Sequence, residues 1–154
     1  MYFPLNTLEE VMRAFPNESV CIKYLEDLRW KGKAVSPFQK DSKIYICGNK
    51  KYRCKSTHKY FTVKTGTVFD GTKVAIQQWI ISILVYLNSD KDFDHSFEYL
   101  QKVLNLSPRS IWLLLDKIVY AIEHNNFKNS MRRINLYPYF EFIIISMMKV
   151  PRRI

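Results

Sequence analysis

Two cysteines and a histidine in one short run are the residues with the most obvious capacity for chemistry. Cys47 precedes, and Cys54 and His58 belong to, the stretch "YRCKSTHKYFTVKTGTVFDGTK" at residues 52–73. Thiolate and imidazole are zinc ligands, and a structural zinc site wants four of them, tetrahedral and usually paired in tight knuckles. Here the spacing falls short. Thr57 stands where the second thiolate of a Cys-x-x-Cys pair would be, Cys47 lies seven residues upstream of Cys54, and no fourth ligand is near. The reading is two ordinary cysteines and no metal, with Cys47, Cys54 and His58 as the one set able to retain weak metal affinity.

Catalysis has less support still. His58, His95 and His124 have no serine, cysteine or carboxylate at motif spacing. "DKDFDH" at residues 90–95 gathers three Asp and a His, and reads as an acidic loop entering a helix N-terminus, where negative charge is favoured. No Gly-rich phosphate-cradling loop is present. The expectation is a protein that is not an enzyme and carries no cofactor.

Charge offers a better lead. The net charge is +10, and it is segregated. Residues 1–30 sum to −2, residues 31–73 to +9, residues 74–124 to −2 and residues 125–154 to +5. Two basic segments flanking a mildly acidic block point to a polyanion, and nucleic acid is the usual one. In the first segment Lys50, Lys51, Arg53, Lys55, Lys59, Lys64 and Lys73 interleave with Tyr45, Tyr52 and Tyr60, offering phosphate contacts and stacking faces. Arg109, Arg132 and Arg133 are further candidates for phosphate contact; DNA and RNA are both open as the ligand.

These residues must be positioned by elements that the pattern announces. Thr7 with Glu10 fits a capping box opening a short helix that Pro16 closes. A second helix, about residues 18–28, carries Val20, Tyr24 and Leu28 on one stripe, with Cys21 beside it as a small core residue. "KIYIC", "KYRC" and "KYFTV" are β-branched and aromatic, separated by the turn "GNK", and predict an antiparallel ribbon. With no metal, Tyr45, Tyr52, Tyr60 and Phe61 are expected to hold that ribbon against the helices. "VAIQQWIISILVYLNS" is apolar on most sides, as befits the centre of a bundle. Helix, tight turn and helix follow through residues 93–124, with Asn105 available for a left-handed turn position and Ser107 and Pro108 placed as N-cap and first helical residue. The tail, residues 125–154, is basic at its ends and apolar at "FEFIII", which suits packing or a dimer strand. Fold class is α+β: N-terminal helices (1–30), a zinc-ribbon-like β segment (31–73), a helical region with a helix-turn-helix (74–124) and a tail (125–154).

Taken together, "CIKYLEDLRW", "YRCKSTHKYFTVKTGTVFDGTK" and a helix-turn-helix ending "SIWLLLDKI" resemble the N-terminal region of bacterial insertion-sequence transposases with a DDE-type catalytic domain. The resemblance runs from about Phe15 to Ile122, and "TGTVFDGTK" is its most specific piece. It implies a zinc ribbon followed by a DNA-reading helix-turn-helix. Against that pattern, Ser36 and Gln39 in "SPFQ" stand where the first knuckle's thiolates would be, and Thr57 replaces one of the second pair. One ligand of four survives, and the carboxylate-bearing catalytic domain has no counterpart in these residues. The second helix of the helix-turn-helix has only Arg109 and Lys117 as basic residues against Asp116 and Glu123, few donors for reading a groove.

Three functional expectations result. The first is a non-enzymatic, transposase-derived nucleic-acid-binding protein. The second is a phage- or mobile-element-encoded inhibitor, similar to anti-CRISPR proteins, that acts on a nucleic-acid-guided nuclease or its ribonucleoprotein. The third is a truncated transposase fragment. Three cysteines are too few for a disulfide framework, and the 12-residue run "YPYFEFIIISMM" is too short to cross a membrane, so a cytoplasmic protein without membrane partners is expected. A homodimer through the tail is the remaining partner expectation.

Overall fold

The computed structural model describes residues 8–124 together with Ile144, Met147 and Met148. Five helices, α1 (Leu8–Ala14), α2 (Glu18–Trp30), α3 (Ile76–Asn88), α4 (Phe93–Val103) and α5 (Pro108–His124), enclose a sequence gap filled by strands β1 (Ile44–Ile46), β2 (Tyr52–Cys54) and β3 (Tyr60–Phe61). The class is α+β, as the pattern predicts. No helix among the described residues is long and apolar enough to cross a membrane. The capping-box threonine, Thr7, and most of the tail lie outside the described residues. Of the tail, Ile144, Met147 and Met148 are helical and buried, and the Met147 carbonyl accepts from Val68 N–H at 3.1 Å, so at these positions the tail packs on the core and is not a strand.

α3 is the hub, because its apolar residues leave no polar face to turn outward. Ile76, Trp79, Ile80, Ile83 and Leu84 are all buried, and α1, α2, α4 and α5 pack around it. Burying each large aliphatic or aromatic side chain contributes about 1.5–3 kcal/mol, so this helix anchors the domain. Ala75 at its N-cap has no side-chain oxygen to offer. Glu18 of α2 takes that role: both its carboxylate oxygens accept from the Ile76 N–H at 3.1 Å. A negative group at a helix N-terminus is doubly favoured, by hydrogen bonding and by the helix dipole.

α2 begins as its sequence requires, with the Asn17 side chain accepting from Val20 N–H at 3.0 Å. It ends at Lys31, in the left-handed region at φ 51°, and Gly32 at φ 101° lets the chain turn away toward the sheet. α5 is capped by the Ser107 hydroxyl, which accepts from Ser110 N–H at 3.2 Å. The α4–α5 turn is a correction in one detail. Asn105 does not adopt positive φ, and Leu104 leaves α4 extended at φ −104°, ψ 138°, so the reversal needs no left-handed residue.

"TGTVFDGTK" joins the two halves. Thr67, Val68 and Phe69 are buried, and Phe69 meets Trp79 edge-on at 5.2 Å. The Thr67 hydroxyl donates to the Lys64 carbonyl at 2.6 Å and accepts from Phe69 N–H at 3.1 Å, while Asp70 accepts from Gly66 N–H at 3.1 Å. Gly66, at φ 77°, supplies a conformation that L side chains rarely adopt. Arg29 of α2 completes the link by donating to the Val63 carbonyl at 2.6 Å. The most distinctive motif of the chain is therefore a plug that docks ribbon to bundle.

Candidate nucleic-acid interface

The sheet is antiparallel in the order β1-β2-β3, and its register decides what each face carries. Ile44 pairs with Cys54, Tyr45 with Arg53 and Ile46 with Tyr52; Tyr52 then pairs with Phe61 and Arg53 with Tyr60. Alternate side chains share a face. One face therefore carries Ile44, Ile46, Tyr52, Cys54 and Phe61, and the other carries the cross-strand row Tyr45–Arg53–Tyr60.

The inner face is built from aromatics. Tyr52 and Phe61 stack at 5.7 Å, and Trp30 of α2 meets both edge-on, at 5.3 and 6.0 Å. The Tyr52 hydroxyl donates to Glu26 at 2.7 Å. Burial, reinforced by that neighbouring carboxylate, pushes the Tyr52 phenol up to about 12. Tyr52 and Phe61 hold the ribbon on the helices as expected, but Tyr45 and Tyr60 do not. They point outward, 42% and 53% exposed, because the register puts them on the opposite face.

On that outer face, cations gather around one ring. The Lys51 ammonium lies 4.5 Å and the Arg53 guanidinium 5.7 Å from the centroid of Tyr60. Arg53 also reaches His58 Nδ1 at 3.2 Å. Cations held over an exposed aromatic remain available to phosphate while keeping the ring oriented. Lys59 lies beside β3 with its ammonium 5.1 Å from the half-exposed Phe38 ring, and Lys55 is exposed in the turn after β2.

The other candidates are spread out. Lys50 turns to the inner side and pairs with Glu26 at 3.5 Å. Lys64 is half-buried in the loop after β3, and Lys73 is exposed ahead of α3. Arg109 is exposed in the first turn of α5, a helix that, among the described residues, packs on α3 and α4 and not on the sheet. Arg132 and Arg133 lie outside the described residues. On α5, Lys117 turns its ammonium toward Trp79, 5.9 Å from the ring centroid, while Trp112 and Leu113 are exposed. That helix displays more apolar surface than hydrogen-bond donors.

Where a zinc ribbon would hold its metal, hydroxyls surround one sulfur. The Cys54 side chain is fully buried, with the hydroxyls of Ser36, Ser42, Ser56 and Thr57 turned to it, Ser56 at 3.4 Å. Burial alone would push this thiol up; the four hydrogen bonds outweigh it and bring the group down to about 5. Ser36 Oγ accepts from Phe38 N–H at 3.0 Å and from Gln39 N–H at 3.1 Å, so the turn "SPFQ" closes on an oxygen. After Cys54, the His58 N–H returns to the Cys54 carbonyl at 2.8 Å with His58 at φ 61°. One thiolate, four hydroxyls close by and a surface glutamine at position 39 do not fit zinc, which is bound by thiolate, imidazole and carboxylate.

Cys47 is exposed and Cys54 buried, which separates the two thiols of the weak metal set. No group of three or more His, Cys, Asp or Glu able to hold a metal occurs among the described residues. Asp92 of "DKDFDH" is the N-cap of α4, accepting from His95 N–H at 3.1 Å, as the acidic-loop reading holds.

Sequence reasoning missed Phe38, Ser42 and Ser56, which become neighbours of the ribbon only through folding. The alternation within "YRC" and "KYF" was the available signal for the outward row, but it needs the register to be read.

Comparison with known proteins gives a weak likeness to a mobile element. The chain is 21% identical over 116 residues to an uncharacterized protein in transposable element ISH50 of Halobacterium salinarum. That stretch is 73% of this chain and 38% of that protein, so the chain spans well under half the length of its relative. No protein-family model matches the chain, and no solved structure matches it. The likeness supports an origin associated with a transposable element.

Proposed function

We propose that this is a non-enzymatic nucleic-acid-binding protein, derived from the recognition region of a transposase, whose contact surface is the outer face of the sheet. The observation that carries the reading is the row Tyr45–Arg53–Tyr60, exposed at both ends and flanked by Lys51. Bases stack on the two tyrosines, while Lys51, Arg53 and Lys55 meet phosphates. An origin in a transposable element makes nucleic acid a natural ligand, and the +9 charge of residues 31–73 sits on the same segment.

α4 and α5 have the order of a helix-turn-helix, but Lys117 is turned inward and Trp112 and Leu113 face out. In this reading the pair serves mainly to pack α3. Replacing Tyr60 by Ala tests the proposal by fluorescence anisotropy with labelled nucleic acid. Losing one stacked base costs about 1–3 kcal/mol, a weakening of roughly 5–150-fold. Because Tyr60 is half exposed on the outer face, thermal stability should stay close to that of the natural protein. Unchanged affinity in Tyr60→Ala and Tyr45→Ala would sink the outer-face assignment.

A further inference from the structure

Behind the sheet, between α2 and the inner side of β1 and β2, lies an open cleft of about 840 Å³. That is within the usual range for small-ligand sites, roughly 300–1,000 Å³. Its walls combine two chemistries. Trp30, Ile44, Ile46 and Tyr52 form an aromatic and aliphatic side, and the loop from Lys31 to Lys43 brings Lys33, Lys40 and Lys43 to it. Of all the charged groups lining it, five are lysines and three are carboxylates, a balance of +2. One carboxylate, Glu26, is already engaged by the Tyr52 hydroxyl and Lys50. Ile46 stands 82% exposed beside this opening, an apolar side chain with little of its surface covered.

The cleft and the outer face are close neighbours. β1 is an edge strand of three residues, and adjacent strands lie about 4.8 Å apart. A ligand leaving Tyr45 therefore has one strand edge to cross before it meets Ile46, Lys43 and the cleft.

We propose that the cleft receives unpaired nucleotides of a chain that also crosses the outer face, so that the ligand is a single-stranded nucleic acid. This rests on the outer-face reading and narrows it. A cavity with apolar walls and a lysine rim suits a base with its phosphate: the base lies against Ile46 and Tyr52, and Lys33 and Lys43 take the backbone. A duplex keeps its bases stacked and paired, and would have to extrude them at a cost before they could enter. A flexible single strand has no such cost and can bend around the β1 edge.

The test uses the full chain with two fluorescent ligands of equal nucleotide count, an unstructured oligothymidylate and a fully paired DNA hairpin. The expected result is oligothymidylate binding at least about tenfold tighter than the hairpin. Lys33→Ala combined with Lys43→Ala should weaken the single strand by about tenfold or more and reduce its salt slope by about 1.4, for two phosphates at about 0.7 each. The same pair should leave hairpin affinity unchanged. Both lysines are exposed, so the fold should survive. As a second readout, 5-bromouracil placed within the oligonucleotide should photocrosslink to the peptide carrying Tyr52 or Trp30.

Hairpin binding as tight as oligothymidylate binding would overturn the inference. So would a Lys33/Lys43 variant that binds the single strand like the natural protein while Tyr60→Ala does not; that pattern would leave the outer-face reading standing. If Tyr60→Ala and Tyr45→Ala also bind normally, both fall together.

Discussion

Placing thiolates at the four positions that the zinc-ribbon resemblance picks out gives the sharpest test of how the ribbon is held. The perturbation is Ser36→Cys, Gln39→Cys and Thr57→Cys together, which with Cys54 supplies four thiolates. The turn at Ser36 already directs the Phe38 and Gln39 amides at its side-chain oxygen, and Ser36 and Thr57 already face the Cys54 sulfur. Without metal the variant loses the two hydroxyl bonds that Ser36 and Thr57 make to the Cys54 sulfur, each worth about 0.5–1.5 kcal/mol, and counting these alone the loss is roughly 1–3 kcal/mol. At about 2–4 °C per kcal/mol for a chain of this size, the melting temperature should fall by roughly 2–12 °C. Zinc at about a thousand times its dissociation constant should return about 4.1 kcal/mol, or roughly 8–16 °C. Differential scanning fluorimetry with and without zinc reads both numbers, and a metal assay should find one zinc per chain. A variant that folds yet takes up no zinc would refute the expectation that these four positions share one metal-sized site.

Other consequences follow from burial and charge. Because the Cys54 thiol is depressed to about 5 when folded, it contributes stability that is complete above the unfolded thiol's ordinary range and is lost as pH falls through about 5. The urea midpoint of the natural protein should therefore drop more between pH 7 and pH 4.5 than that of Cys54→Ser; identical pH profiles would contradict the hydroxyl cage. Toward a thiol reagent the native chain should show one fast equivalent, exposed Cys47, with Cys21 and Cys54 reacting only on unfolding. Cys21 is doubly protected, since burial, with Glu18 nearby, pushes its thiol up to about 12. Three fast equivalents would show the packing to be wrong. Leu115→Ala, at a fully buried position of α5, should cost about 2–5 kcal/mol in chemical denaturation; a loss under about 1 kcal/mol would mean that α5 does not pack as described.

Much of the fold was legible because period and punctuation agree. The apolar run from Ile76 to Leu87 could only be a buried helix, and Ser107-Pro108 marks the start of α5 by capping chemistry. The strands were marked by aromatic and β-branched residues around Gly48-Asn49-Lys50, all three at positive φ in the turn. What the residues alone withheld was which way each side chain faces. Tyr45, Tyr52 and Tyr60 look equivalent in the chain, yet the register sends Tyr52 to Trp30 and the other two outward. Ser36 could be seen as a missing zinc ligand, but its partnership with Ser42, Ser56 and Thr57 around Cys54 depends on chain reversals that bring residues 36–42 beside residues 54–57. The cleft was hidden for the same reason: Lys33, Lys40 and Lys43 precede the ribbon, and only the left-handed exit from α2 at Lys31 brings them to its inner side.

The central claim is that a cationic, aromatic sheet face holds nucleic acid, and salt dependence interrogates it most directly. Anisotropy titrations of the natural protein and of Lys51→Ala with Arg53→Ala should be run from 50 to 200 mM salt. With the five cations placed against phosphates (Lys33, Lys43, Lys51, Arg53 and Lys55) and a slope of about 0.7 per single-strand phosphate, affinity should fall by about 10² across that range, and the double variant should lose close to two contacts' worth of slope. A natural protein whose binding is absent or indifferent to salt, or a double variant with an unaltered slope, would contradict the account.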